Sequence, residues 1–322
     1  MLGATRFFRG HCMGDSKQPL PASGVYAALA TPLRPNSLEG DAAALLDYLD
    51  AITRAGVDGL VLFGATGEFV HFDVSERMRL LMFVVRRSRV PVLVNVSHST
   101  LVGAVDLAEH AVEVGAAGVL LMPPYFYVYG DSQLARFYED FVRLLGGKIP
   151  IYLYNLPSFT NRISAQLAEA LLMSGAFAGI KDSSGEWQMF ETLNALQAKR
   201  PFKLLIGNES LYLRALAAGA HGIVSGVAAA IPELPVAINE AFRNSKLERA
   251  QQLNAHLQQF VEWLEKFPTT VGIKQTAAAR GWKLDQFAVP LDDSTSQTLS
   301  TFRHWLENWI PMILAECTHK VA

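Results

Sequence analysis

One phrase recurs four times in this chain and restricts its fold more than any other feature. It reads AGVDGLVL at 55–62, VGAAGVLL at 114–121, SGAFAGIK at 174–181 and AGAHGIVS at 218–225. In each copy a glycine follows a segment of helical periodicity, and a short turn leads into an apolar run. A glycine just past a helix end supplies a left-handed C-cap, and such a run is typical of a strand buried on both faces. The phrase therefore predicts repeated helix–turn–strand units.

Four further apolar segments lie between these phrases and bring the number of predicted strands to eight. They are VYAALATPL (25–33), PVLVNVS (91–97), PIYLYNLP (150–157) and KLLIGN (203–208). Helical spacing fills the gaps, and the segment 73–87 opens with Asp73 and Glu76 at the spacing of a capping box. Eight alternations of strand and helix predict a parallel sheet closed into a (β/α)8 TIM barrel. An open doubly wound sheet is the alternative, although no GxGxxG follows the first strand.

The same pattern divides the chain into three regions. Residues 1–23 are polar, contain proline and lack periodicity, so we expect a flexible N-terminal arm. The barrel is predicted to span 24–243. Residues 244–322 contain three helical segments and no strand pattern, which predicts a C-terminal helical domain.

Composition and charge exclude several classes of function. The net charge is −2, and no run of lysine or arginine stands out, unlike in proteins that bind nucleic acids or membrane surfaces. No segment approaches the roughly 18 apolar residues that span a bilayer. Cys12 and Cys317 form neither a disulfide framework nor a metal-ligand spacing, which is typical of a reducing compartment. We expect a cytoplasmic protein without a metal site that binds neither nucleic acid nor membrane.

Candidate catalytic residues lie where the predicted strands end, because barrel enzymes place their active sites there. Lys181, in AGIKDSSG (178–185), is the single cation on a central apolar strand. Burial lowers the pKa of an amine, and a free amine attacks carbonyl groups. Tyr154 is suited to moving protons. The glycines on either side of Thr66 allow backbone N–H groups and one hydroxyl to approach a carboxylate. Together these residues predict a 2-oxo acid that forms a Schiff base.

Plainer interpretations of the same residues stay open at this level. A lysine at a strand end commonly extends into solvent, and glycine with threonine before a helix commonly forms a turn and an N-cap. Glu209 is expected to favour a helix start rather than to contact a ligand. The aromatic run at 125–129 favours a contact between subunits.

Several motifs make the chain similar to a known family. GATGE (64–68), YNLP (154–157), GIKDSSG (179–185) and GIVSGVAAAIPEL (222–234) resemble the dihydrodipicolinate synthase/N-acetylneuraminate lyase family of class I aldolases. The resemblance covers about residues 24–280. It implies a (β/α)8 barrel with C-terminal helices, usually assembled as a homotetramer. It also implies that pyruvate or another 2-oxo acid is bound as a Schiff base, without a metal or an organic cofactor.

The resemblance also implies roles for individual residues. Lys181 matches the Schiff-base lysine, and Tyr154 matches the tyrosine that moves protons. Thr66 and the backbone of Ala65 match the positions that hold the carboxylate of the keto acid. Two more predicted substrate-binding residues, Gly207 and Val224, match pocket positions around the lysine.

Three departures from the family pattern affect the predicted substrate site. Ala65 stands where the family has a threonine or serine, and Phe126 stands where it has a tyrosine that crosses a dimer interface. Of the three hydroxyls in the proton relay of the synthase, only that of Tyr154 is kept. Phe159 stands where the synthase has an arginine that pairs with the carboxylate of its second substrate, and phenylalanine cannot form such a charge-assisted contact. Phe126 and Phe159 therefore predict a less charged pocket for the second substrate.

We accordingly predict a lyase that acts on a 2-oxo acid by aldol cleavage, aldol condensation or dehydration. Sugar-derived 2-keto-3-deoxy acids and hydroxylated oxo acids are the expected substrates. One alternative is 4-hydroxy-tetrahydrodipicolinate synthase, which the change at Phe159 disfavours. A second is a barrel that binds a keto acid without turnover. A phosphate-binding isomerase is a weaker third, because no further glycine-rich anion cradle follows the eighth strand.

Overall fold

The computed structural model describes residues 23–318, and its eight strands form one closed parallel barrel in the order of the chain. The strands are β1 (Gly24–Ala28), β2 (Gly59–Leu62), β3 (Val92–Asn95), β4 (Gly118–Leu121), β5 (Ile151–Asn155), β6 (Gly179–Asp182), β7 (Lys203–Ile206) and β8 (Gly222–Ser225). β8 pairs with β1 and closes the ring. The predicted TIM barrel is confirmed, and the open doubly wound sheet is wrong. Except for Ser23, the predicted N-terminal arm lies outside the described residues.

Eight α-helices connect the strands and cover the outside of the barrel. They are α1 (Ala42–Arg54), α2 (Val74–Arg87), α3 (Leu101–Val114), α4 (Asp131–Leu145), α5 (Ala165–Met173), α6 (Trp187–Leu196), α7 (Tyr212–Ala217) and α8 (Glu233–Arg243). Nearly every strand residue is buried, because the inner face fills the barrel and the outer face packs on helices. The apolar runs in the sequence arise from this burial on both faces.

The glycine of each recurring phrase adopts the left-handed conformation that its position requires. The φ angles are +89° at Gly56, +85° at Gly115, +80° at Gly175 and +107° at Gly219. Gly115 caps α3 directly, and its N–H donates to carbonyl groups of the last helical turn. Each of these glycines lets the chain reverse from a helix into the next strand, as the sequence pattern predicted.

Only half of the capping box predicted for α2 forms. The carboxylate of Asp73 accepts a hydrogen bond from the N–H of Glu76 at 2.7 Å and caps the helix. Glu76 does not return this contact. Its carboxylate pairs with Arg79 and accepts from the N–H of Gly40 at 3.1 Å. The side chain thus ties α2 to the loop that precedes α1.

Three helices follow the barrel: α9 (Leu247–Leu264), α10 (Val271–Ala279) and α11 (Asp293–Thr318). A stack of aromatic rings joins α9 to α11, with the ring of Phe260 4.9 Å from that of Trp309. Trp305 continues the stack at 4.8 Å from Trp309. Such pairs add about 1 kcal/mol each beyond their buried area. Within residues 23–318, no helix is both long and apolar enough to cross a membrane.

Candidate active site

Lys181 lies inside the barrel, on β6, directly beside Tyr154 on β5. The two residues are register partners between these strands. The side chain of Lys181 is buried, with 4% of the residue exposed, and its Nζ lies 3.9 Å from the centroid of the Tyr154 ring. In the described part of the chain the amine contacts this ring alone, and no carboxylate forms an ion pair with it. The two residues predicted to be catalytic are therefore in contact.

The neighbouring acid, Asp182, faces away from the amine because side chains alternate along a strand. Its Oδ1 accepts from Nδ2 of Asn155 at 2.7 Å, and its Oδ2 accepts from the hydroxyl of Ser184 at 2.8 Å. Burial raises the pKa of Asp182, although these hydrogen bonds oppose the increase. Asn155 also accepts from the N–H of Ile163 at 3.0 Å. Asp182 thus anchors the β5 and β6 ends and leaves Lys181 unpaired.

Gly207, at the end of β7, leaves the space that Lys181 and Ser183 occupy. A Cβ on Gly207 would stand 1.9 Å from the Oγ of Ser183 and 2.7 Å from the Cε of Lys181. The Oγ of Ser183 is buried and has no hydrogen-bond partner. Gly207 therefore lies against the lysine, where the sequence analysis placed it, and an unpartnered hydroxyl shares the same space.

Thr66 belongs to a tight loop after β2 that approaches the end of β8. The hydroxyl of Thr31 donates to the carbonyl of Gly67 at 2.8 Å and holds the loop against the barrel. The Oγ1 of Thr66 lies 3.2 Å from the position that a Cβ would take on Gly226. Val224, also predicted to bind substrate, is buried on β8, two residues before Gly226.

Glu209 links the ends of β7 and β8, a role that the sequence analysis missed. It begins a short 3-10 helix, and its Oε1 accepts from the hydroxyl of Ser225 at 2.8 Å and from the N–H of Val227 at 3.1 Å. The Oγ of Ser225 in turn accepts from the N–H of Ala228 at 3.0 Å. Glu209 therefore crosslinks two loops as well as favouring a helix start.

A cavity of about 480 Å³ opens at this end of the barrel. Ala65 and Phe159, both predicted to bind substrate, line this cavity, and so does Leu156, two residues after Tyr154. Further walls come from the C-terminal helical region, through residues 268–271 and 287–291. Lys181 and Tyr154 are not among the lining residues, so the cavity does not enclose this pair; Leu156 follows Tyr154 by two residues at the same end of the barrel.

Phe126 does not reach this site within one chain. It is 88% exposed, has a φ of +84°, and is not among the residues that line the cavity. Tyr125 before it does line the cavity. Tyr127 and Val128 are also exposed, so the loop presents an apolar surface. The predicted contact between Phe126 and substrate therefore requires a second copy of the chain.

A buried ion pair at the cavity wall also escaped the sequence analysis. Lys274 on α10 is fully buried, pairs with Glu68 of the loop after β2, and donates to the carbonyl of Gln286 at 3.1 Å. Burial lowers the pKa of Lys274, and the charge of Glu68 opposes this change. The sequence did contain a signal for a buried cation here, because Lys274, like Lys181, is a lone cation in an apolar segment.

Arg77 packs against the loop that follows β2. Its guanidinium is buried between the rings of Phe63 and Phe69, at 5.6 and 5.1 Å, and donates to the carbonyl of Ser97 at 3.0 Å. Burial lowers its pKa to about 10. The cation holds Phe63, whose φ is +58°, at the end of β2.

Comparisons with known proteins identify relatives of this chain along most of its length. A 4-hydroxy-tetrahydrodipicolinate synthase from Methanothrix thermoacetophila is 28% identical over 283 residues, which cover 87% of this chain and 94% of that one. An Escherichia coli protein named probable 2-dehydro-3-deoxy-D-pentonate aldolase is 29% identical over 257 residues, covering 78% and 85%. The names of these relatives therefore divide between synthase and aldolase.

The fold has close counterparts among solved structures. YagE, an E. coli prophage protein of the dihydrodipicolinic acid synthase family solved in complex with pyruvate, superimposes with a TM-score of 0.81 at 24% identity. The match covers 88% of this chain and 98% of that chain. The model of the dihydrodipicolinate synthetase family matches residues 21–308. This chain therefore belongs to the dihydrodipicolinate synthetase family, whose members are lyases.

Proposed function

We propose that the amine of Lys181 condenses with the ketone of pyruvate or another 2-oxo acid, and that this Schiff base carries the lyase reaction. The observation behind the proposal is the burial of Lys181 against Tyr154, inside the barrel and without a paired carboxylate in the described chain. A relative with the same fold is described in complex with pyruvate, which supports a 2-oxo acid as the substrate class.

The reaction begins when Nζ of Lys181 attacks the carbonyl carbon and forms a carbinolamine, which loses water to give an iminium ion. The iminium draws electrons from the adjacent carbon. A 4-hydroxy-2-oxo acid then breaks its C3–C4 bond into an aldehyde and an enamine, and the reverse reaction forms that bond. The same iminium also supports dehydration. Tyr154 gives and takes the protons of the carbinolamine and of the aldehyde oxygen.

The remaining predicted residues position the keto acid. Thr66 and the backbone N–H of Ala65 hold its carboxylate, because a hydroxyl and free N–H groups in a glycine-flanked turn suit an anion. Gly207 leaves space beside the lysine because it has no side chain, and the buried side chain of Val224 bounds that space. A carboxylate held in this way directs the ketone towards Nζ.

Reductive trapping tests the proposal directly. The full-length protein is incubated with pyruvate and borohydride, and intact mass and peptide mapping locate the adduct. We expect one reduced carboxyethyl group on Lys181, and no adduct in Lys181→Met. The neighbouring Lys203 provides an internal control within the same map. Labelling of another lysine, or no labelling at all, would overturn the proposal.

Two other functions have specific support. The relative named 4-hydroxy-tetrahydrodipicolinate synthase supports that activity, which an NADPH-coupled assay with pyruvate and aspartate semialdehyde measures. Robust turnover in this assay would contradict our interpretation of Phe159. The missing hydroxyls at Ala65 and Phe126 support a keto-acid binder without turnover. Pyruvate binding without consumption of any oxo acid in a panel would favour the binder.

We further propose that the chain assembles as a homotetramer. The exposed apolar side chains of Phe126, Tyr127 and Val128 support a contact between copies through this loop. Light scattering coupled to size-exclusion chromatography tests the assembly. Phe126→Ser should weaken it, and a monomeric wild-type protein at micromolar concentration would refute it.

A further inference from the structure

The cavity at the end of the barrel where β5 and β6 end has the dimensions of a site for a small organic molecule. Its volume of about 480 Å³ falls within the common range of roughly 300–1,000 Å³ for ligand pockets. It extends from Ala65 and Leu156 to the C-terminal segments 268–271 and 287–291. Under the proposed mechanism, the part of the substrate beyond the keto acid occupies this space.

The walls of this cavity are mainly hydrocarbon. Thirteen of its nineteen lining residues have aliphatic or phenyl side chains: Ala65, Phe69, Val70, Met122, Leu156, Phe159, Pro268, Val271, Phe287, Ala288, Val289, Pro290 and Leu291. Phe159 and Val289 belong to segments that lie 130 residues apart in the chain, so the apolar wall is built by both the barrel and the C-terminal helical region. Such a surface favours a ligand with an apolar body.

The cavity wall offers a second carboxylate no lysine or arginine as a partner among the residues that the structure describes, and its one histidine is His71. The one carboxylate in the wall, that of Glu68, is paired with the buried amine of Lys274, whose other contact is the carbonyl of Gln286. The charge of Glu68 is therefore compensated within the protein, and the wall offers a ligand carboxylate neither a lysine nor an arginine.

Six of the nineteen lining residues have polar side chains, and two of these, Glu68 and Thr160, are already engaged within the protein. The hydroxyl of Thr160, which lines the cavity, already donates to the carbonyl groups of Leu156 and Asn161 at 3.1 and 3.2 Å. A ligand hydroxyl that is buried without a hydrogen-bond partner loses free energy relative to water. Each additional hydroxyl on a sugar-like aldehyde would increase this loss.

We propose that the aldehyde released by this lyase, or condensed with pyruvate, is uncharged and has an aromatic or branched aliphatic body. The proposal rests on the Schiff-base function of Lys181. It departs from the sugar-derived substrates expected from the resemblance, because their aldehydes are polyhydroxylated.

Tyr154 takes a proton from C3 of the pyruvate iminium on Lys181, which gives the enamine. C3 of the enamine then attacks the aldehyde carbon, one C–C bond forms, the iminium is restored, and Tyr154 returns the proton to the new alkoxide. Water then hydrolyses the iminium, which restores the free amine and releases a 4-hydroxy-2-oxo acid. Cleavage follows the same steps in reverse.

An aldehyde panel with the full-length protein tests the proposal. Pyruvate is combined separately with benzaldehyde, 2-methylpropanal, D-glyceraldehyde and succinic semialdehyde, and mass spectrometry of the 4-hydroxy-2-oxo acid products gives kcat/KM for each. We expect the two apolar aldehydes to exceed the other two by about tenfold or more, since pocket contacts of this size discriminate on that scale. Equal or greater rates with glyceraldehyde or succinic semialdehyde would overturn the proposal.

A pair of substitutions at one position supplies the matched control. Phe159→Arg places a cation in the wall and should shift the preference towards succinic semialdehyde. Phe159→Leu keeps the wall apolar and should keep the order of the panel. If both variants give the same order, the wall at Phe159 does not set specificity and the proposal is wrong at this position.

Reductive trapping separates failure of this proposal from failure of the proposed function. An adduct on Lys181 together with a preference for polar aldehydes would leave the Schiff base intact and overturn only the apolar aldehyde. An adduct without consumption of any aldehyde would also overturn it. No adduct on Lys181 would overturn both.

Discussion

Lys181 and Gly207 lie against each other at the ends of β6 and β7, so closely that a Cβ on Gly207 would stand 2.7 Å from the Cε of the lysine. Carbon atoms in van der Waals contact are about 3.5–4.0 Å apart. The absence of a side chain at Gly207 is therefore a condition for the observed position of the lysine amine against Tyr154.

Gly207→Ala should displace the amine and leave the fold intact. The backbone of Gly207 does not have a positive φ, so its conformation suits alanine, and the new Cβ would clash only with the side chains of Ser183 and Lys181. A misplacement of about 1 Å commonly costs a reaction about 100-fold, and we expect a decrease of this order in the rate of reductive trapping with pyruvate. Circular dichroism checks the fold.

A second substitution serves as the control for this prediction. Ser183→Ala removes the Oγ that would stand 1.9 Å from the new Cβ. The double variant Ser183→Ala/Gly207→Ala should therefore recover part of the lost rate. Wild-type trapping by Gly207→Ala alone would show that the glycine does not position the lysine.

Removal of one member of the Glu68–Lys274 pair should destabilise the protein more than removal of both charges. Lys274→Met leaves the carboxylate of Glu68 without its partner, and breaking a buried pair in this way costs roughly 3 kcal/mol of unfolding free energy. Glu68→Gln/Lys274→Met removes the unpaired charge and should regain part of that loss. Urea unfolding of the wild type, both single variants and the double variant measures the coupling. Strictly additive values would contradict it.

Restoring the two missing relay hydroxyls should increase turnover cooperatively. Ala65→Thr together with Phe126→Tyr should raise turnover more than the sum of the single changes, because the hydroxyls act as one chain of hydrogen bonds. Ala65 lines the cavity, whereas Phe126 is exposed outside it, so the coupling also requires Phe126 of a neighbouring copy. Steady-state kinetics of the four proteins form the double-mutant cycle. Additive or absent effects would argue against a vacant relay.

Protonation of His221 should lower the free energy of unfolding in weak acid. Its Nδ1 accepts a hydrogen bond from the N–H of Leu204 at 3.2 Å, and burial, followed by the charge of Lys203, lowers its pKa below the ordinary 6.5. The unfolded chain therefore takes up a proton near pH 6.5 that the folded protein resists. The stabilising contribution is complete above 6.5 and is lost as the pH falls from there towards the folded pKa.

The variant His221→Asn tests this prediction. His221→Asn keeps an acceptor for the N–H of Leu204 and does not titrate. Unfolding free energies at about pH 7.5 and about pH 5.5 should differ less in this variant than in the wild type. An equal difference in both proteins would exclude His221 as the source.

The barrel and the contact between Lys181 and Tyr154 could be predicted from the sequence because both depend on local, periodic features. A strand buried on both faces must be apolar along its length, and a reversal from helix to strand favours a glycine with positive φ, so each unit of the fold has a signature within about ten residues. Lys181 was recognisable because it interrupts such a run. Tyr154 becomes its neighbour as soon as consecutive strands pair in parallel.

The cavity, by contrast, was decided only by the tertiary structure. Its walls come from loops with irregular backbone, in which Glu68 and Thr270 have φ angles of +54° and +80°. The residue types in these segments do not predict such a left-handed conformation. The Glu68–Lys274 pair and the exposure of Phe126 likewise depend on how loops distant in the sequence pack over the barrel. Periodicity reports whether a segment is buried and in which local conformation, but it carries no information about which distant loop covers it.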